Sequence, residues 1–144
     1  MPVRDGEDEQ ATRSSVANVT QLVTLAGTSA HAVAAEFAAR RDDELLTHGY
    51  VVAESLAVAR RRFGLEGTVT LLDDVLPPIT LLPVDLQLHA AAQQAYRASL
   101  PGATSFVHLV SLALIKREGI GAALALDPDL SLPGVTLFPQ TPGS

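Results

Sequence analysis

Four polar residues stand alone inside apolar stretches of this sequence: Asn18, Glu54, His108 and Asp127. Each falls where a strand should end or a helix should begin, in segments otherwise built for burial. The two acids constrain the fold most. A lone carboxylate in an apolar segment is costly unless it is paired, caps a helix or holds a metal. Asp127 can meet that demand by capping the Pro128 turn, with Asp129 as its exposed neighbour.

The segments around these residues alternate in kind. Ser15-Val16-Ala17 reads as a short strand running into a helix or turn through Leu22, Val23 and Leu25. Gly27 breaks it, and Thr28 or Ser29 can cap a helix rich in alanine, through Ala34, Ala35, Phe37 and Ala38. Residues 49 to 63 give the clearest helix, because Val51, Val52, Ser55, Leu56 and Ala59 form an apolar stripe that Gly64 ends. Thr68 to Leu76 reads as a short helix stopped by Pro77-Pro78. Ile79 to Val84 is a β-rich run that Pro83 suits to a sheet edge. Asp85 caps a helix reaching Tyr96 and Arg97. After a Pro101-Gly102-Ala103 loop, Thr104 or Ser105 opens another helix, closed by Gly119. Ala122 to Leu126 is an apolar strand ending at Asp127, and Pro133-Gly134 turns into a last strand over 135–138.

Strands alternating with helices predict an α/β fold with a mainly parallel sheet. Ligands of such sheets gather at the carboxyl ends of the strands. Asn18 and Asp127 each directly follow a predicted strand.

Composition narrows the classes. At 144 residues the chain suits one domain over residues 14–144, preceded by a disordered, mainly acidic tail over 1–13. Aromatics are only 4%, so Leu, Val and Ala must fill the interior. No apolar run reaches the ~18 residues of a membrane span, and the amino-terminal stretch lacks the apolar core of a secretory signal. Zero cysteines exclude disulfides and thiolate zinc, and fit a reducing cytoplasm. A net charge of −6 excludes nucleic-acid binding through the overall field. The local basic cluster Arg60, Arg61 and Arg62, with Arg40 and Arg41, reads most simply as a solvated helix end. The acidic runs Asp42-Asp43-Glu44 and Asp73-Asp74 read as solvated faces. No Gly-rich phosphate loop, Ser-His-Asp arrangement or zinc-finger spacing is present.

Four segments, in order, carry a resemblance. Asn18-Val19-Thr20-Gln21-Leu22-Val23 is followed, a dozen residues on, by His31. Then come Val51-Val52-Ala53-Glu54-Ser55-Leu56, Ser105-Phe106-Val107-His108 and Ala123-Leu124-Ala125-Leu126-Asp127-Pro128-Asp129-Leu130. Together they resemble the PIN-domain family, in particular the VapC-like toxin ribonucleases, across residues 14 to 139. The resemblance implies a three-layer α/β sandwich in which acids from the four segments hold Mg²⁺ or Mn²⁺ and cleave RNA. On that mapping the site is Asn18, Glu54, His108 and Asp127, with Glu54, Asp127 and His108 as metal ligands. It further implies a homodimer, with the helices around 31 to 62 as the pairing surface, and an antitoxin-like protein partner besides RNA.

Two of the mapped positions are not acids. Mg²⁺ demands hard oxygen ligands. Asn18 offers only a neutral carbonyl, and His108 a nitrogen better suited to Zn²⁺ or Mn²⁺. The resulting expectation is a degenerate site with weak or absent metal binding, in a protein that acts as a binding or assembly module. The alternatives are an active metal-dependent endoribonuclease with an altered metal preference, and an unrelated small α/β protein. Taken singly, Asn18 also reads as a helix cap, His108 as a core histidine, and Thr20, Ser105 and Ser111 as helix-start residues or supporting hydroxyls.

Overall fold

The computed structural model describes residues 13–40, 43–102, 104–119, 122–124 and 136–138. Residues 1–12 of the tail predicted over 1–13, together with Arg41, Asp42 and Asp127 to Leu130, lie outside the described residues, and Arg13 opens a strand instead.

Strand β1 (Arg13–Val16) leads into helix α1 (Val19–Ala26), then α2 (Ala30–Ala39) and strand β2 (Asp43–His48). Helix α3 (Gly49–Thr70) continues into a π-helical turn over Leu71–Val75. Strand β3 (Thr80–Leu82), helix α4 (Leu86–Ser99) and helix α5 (Phe106–Glu118) follow, then the short strands β4 (Ala122–Leu124) and β5 (Thr136–Phe138). β1, β2 and β3 form a parallel sheet in that spatial order, so β2 is central. β4 and β5 pair in parallel, and β4 lies beside β1. The predicted α/β class with a parallel sheet holds.

β2 has no counterpart among the elements expected from the sequence. Its acidic start looks like a solvated run, and Glu44 is indeed exposed, yet Leu45 to His48 are all buried. Two of those four are polar, so no apolar run announces the strand. Each is satisfied by one specific bond. Thr47 Oγ1 donates to the Ala17 carbonyl at 3.3 Å, and His48 reaches Ser111 of α5 at 2.8 Å. Alternation along a strand sends successive side chains to opposite faces. Leu45 accordingly joins a cluster with Leu22, Ala26, Val33, Val51, Ala59, Leu71 and Val75 from α1 to α3 and the π-helical turn. His48, on the other face, meets α5. Each fully buried Leu or Val contributes roughly 1.5–3 kcal/mol relative to exposure.

Gly64 ends the first helical stretch of α3 as expected, and a second stretch begins beyond the kink. Its φ of 67° and ψ of −152° lie in a region reserved for glycine, and helix resumes beyond it. The expected helix over 68–76 is the continuation of α3 through the π-helical turn. Gly119 terminates α5 as predicted, in the left-handed conformation with its N–H donating to the Ile115 carbonyl. The capping expectations at Ser29 and Asp85 hold as well, each side chain accepting an amide of its helix's first turn.

Candidate functional site

Three helices begin at the carboxyl edge of the sheet and converge on one cleft of about 240 Å³. The start of α1 supplies Asn18, Val19 and Thr20. The first turns of α3 supply Val51 and Glu54, and the start of α5 supplies Ser105, Val107, His108 and Ser111. Three of the four residues singled out from the sequence therefore line one cavity; the fourth, Asp127, lies outside the described residues. Thr20, Ser105 and Ser111 line it too. His31 does not: it is exposed on α2 and absent from the cleft.

Asn18 is the N-cap of α1. Its extended backbone (φ −104°, ψ 176°) ends the strand, and its Oδ1 accepts the Gln21 N–H at 2.8 Å. The cap reading of this residue is correct, and it has a chemical consequence. The single oxygen that Asn18 could offer a cation is already an acceptor for a backbone amide. Ser105 caps α5 in the same way, its Oγ accepting the His108 N–H at 3.0 Å. That bond fixes the first turn that carries the half-buried His108. Glu54 is exposed at the cleft mouth.

Beneath the cleft lies a histidine that sequence reasoning passed over. His48 is wholly buried at the end of β2 and caps α3, its Nδ1 accepting the Val51 N–H at 3.4 Å. An imidazole that accepts at Nδ1 carries its proton on Nε2. His48 Nε2 therefore donates to Ser111 Oγ at 2.8 Å. Burial lowers the His48 pKa from the ordinary 6.5 to about 4, so the ring is neutral at physiological pH. With its proton facing the hydroxyl, His48 cannot act as a base toward Ser111, and the pair is a structural tie. Its only sequence signal was a polar residue directly before a helix-opening Gly49-Tyr50.

Beside this tie, Tyr50 stacks on Phe106 with centroids 6.0 Å apart, and its hydroxyl bonds His89 Nδ1 at 2.6 Å. Phe106 also meets Tyr96 edge-on. This ring cluster joins the start of α3 to α4 and α5.

Among the described residues the cleft brings together one carboxylate, one amide oxygen and one imidazole, from Glu54, Asn18 and His108. Among the described residues no group of three or more His, Cys, Asp or Glu side chains is placed to hold a metal ion. Glu54 is the one carboxylate lining the cleft among them. The oxygen of Asn18 already accepts one backbone N–H and keeps one lone pair, and His108 contributes nitrogen. Mg²⁺ gives up water only for several hard oxygen ligands, whereas imidazole nitrogen suits Mn²⁺ or Zn²⁺.

No family profile matches the chain, and no curated protein does. Among solved structures it is similar to VapC20 of Mycobacterium tuberculosis, described as a Sarcin-Ricin loop cleaving toxin. The TM-score is 0.67 at 23% identity, over 84% of this chain and 95% of that one. The chain has a VapC-like PIN fold, in agreement with the resemblance carried by its four motifs. Among the described residues no helix is long and apolar enough to cross a membrane.

Proposed function

We propose that this is a PIN-fold protein whose cleft has lost efficient Mg²⁺-dependent RNA cleavage, and that it serves as a binding or assembly module with an antitoxin-like protein as partner. One observation carries the reading. Where the fold's opening acid would stand, Asn18 has its oxygen committed to capping α1, leaving Glu54 as the only described carboxylate in the cleft. Metal ions in such sites activate water and offset the charge that develops on phosphate. Losing a ligand or the group that orients it commonly costs factors of ~10² in rate or metal affinity. Replacing acids with neutral groups also lifts mutual repulsion in the metal-free protein. The cleft can thus persist as a stable shape without its ion.

The second reading, a working nuclease with a shifted metal preference, draws on the position of His108. It shares the cleft with Glu54, and an imidazole suits Mn²⁺ or Zn²⁺. A cleavage assay separates the two. Unstructured RNA and a hairpin containing the sarcin-ricin loop are each incubated with Mg²⁺, Mn²⁺ and Zn²⁺ in turn. Background rates in Mg²⁺ are expected for the native protein. Robust turnover that disappears in Glu54→Gln would replace the first reading with the second.

A further inference from the structure

The tie beneath the cleft leaves one proton to spare. His48 Nε2 donates to Ser111 Oγ at 2.8 Å, so the hydroxyl's own hydrogen is left for another acceptor. Ser111 is only 2% exposed, lines the cleft and makes no other hydrogen bond among the described residues. The same bond joins the cap of α3 to α5, and so sets where two further side chains stand. Glu54 lies six positions past His48 on α3, and His108 three before Ser111 on α5. At a rise of ~1.5 Å per residue they stand roughly 9 Å and 4.5 Å along their helices from the tie. Val51 with Glu54, and His108 with Ser111, keep the spacing of three that shares a helix face, and all four line the cleft.

At about 240 Å³ the cleft is smaller than the roughly 300–1,000 Å³ of a drug-sized site, and it suits one phosphodiester group. α1, α3 and α5 all begin there, and helix starts favour negative charge. A carboxylate and an imidazole brought to one phosphate are the groups of general base and general acid catalysis, which needs no ion. RNA supplies its own nucleophile, the 2′-hydroxyl beside each 3′-phosphate.

We propose that the cleft cleaves RNA slowly without metal, by transfer of the phosphate to the 2′-oxygen. Glu54 takes the 2′-hydroxyl proton as O2′ bonds to phosphorus. The P–O5′ bond breaks, and His108 in its protonated form gives the departing 5′-oxygen a proton. Ser111 Oγ donates to a non-bridging oxygen, where charge builds up. The products are a 2′,3′-cyclic phosphate and a 5′-hydroxyl. The proton on Glu54 returns to His108 through solvent, so nothing but RNA is consumed. The inference rests on the loss of efficient Mg²⁺ use proposed above, and adds a reaction that no ion assists.

A 5′-labelled unstructured RNA, incubated in EDTA with the full chain in excess, tests the proposal, and mass spectrometry reads the ends of the fragments. Slow cleavage to cyclic phosphate is expected, at a rate that Mg²⁺ in place of EDTA leaves unchanged. The all-deoxy version of the same sequence should stay whole, whereas attack by a metal-bound water needs no 2′-hydroxyl. Glu54→Gln and His108→Gln should each lower the rate at least about 100-fold, the low end for a general base or acid. Glu54 is exposed, so its variant keeps the fold and also unmasks any co-purifying nuclease, which it would not slow. No cleavage in EDTA overturns the proposal. So do fragments ending in a 3′-hydroxyl, cleavage of the deoxy strand, or a rate that either variant leaves unchanged. Silence in both EDTA and Mg²⁺ leaves the loss of Mg²⁺ use standing, and Mg²⁺-dependent cleavage to 3′-hydroxyl ends sinks both.

Discussion

Asn18 and His48 perform the same task at neighbouring strand ends, with opposite consequences. Both cap the helix that follows, Asn18 through Oδ1 and His48 through Nδ1. Asn18 is half-buried in the cleft wall and makes no other hydrogen bond among the described residues, so a carboxylate of the same shape could stand in its place. His48 is wholly buried, and its second nitrogen ties β2 to α5 through Ser111. One polar group is an exchangeable part of the cleft surface; the other is a strut of the scaffold. On the proposed reading, the chemistry of the site and the tie between β2 and α5 beneath it are thus carried by different residues. Loss of the first need not cost the second.

Substitution at His48 tests that contrast hardest. His48→Ala should destabilise the protein by about 3 kcal/mol, from the cavity and from the Val51 amide and Ser111 hydroxyl left unpaired. Urea denaturation measures it. A loss near zero would put His48 on a par with Asn18. Next comes pH. The folded pKa of His48 is about 4, against 6.5 in the unfolded chain, so the unfolded state takes up the proton first. Its contribution is complete above pH 6.5 and is lost as pH falls toward 4, by up to about 3 kcal/mol. The difference between native and His48→Gln stability curves across that window isolates the effect. A constant difference would show that this histidine does not titrate as described.

Smaller effects sharpen the cleft side. Ser105→Ala removes the α5 cap and should cost about 1 kcal/mol. If His108 depends on that cap, the variant's His108 resonances should also shift. Asn18→Asp should change metal-free stability by less than about 0.5 kcal/mol, because the two residues cap equally well. A larger loss would mean that Asn18 is retained for the fold rather than exchanged at the site.

The legible part of this molecule followed from local chemistry. Asn18, Glu54 and His108 were readable because each is a polar interruption near the start of an apolar helix, and helix starts meet at one edge of a parallel sheet. Caps at Ser29, Asp85 and Ser105 were readable for the same reason. β2 was hidden because its charged start is solvated and its buried end is half polar. Only long-range bonds, to Ala17 and to Ser111, make that burial affordable, and no window of sequence contains them. Gly64 was legible as a stop, because its backbone takes a conformation open to glycine; the helical stretch beyond the kink is anchored in the core by Leu71 and Val75.

Calorimetric titration with Mg²⁺, comparing the native protein with Asn18→Asp/His108→Asp, tests the account most directly. The native protein should give no binding heat at millimolar ion, and the double variant should give a clear saturable isotherm. Saturable binding by the native protein below a millimolar, accompanied by RNA cleavage, would contradict it.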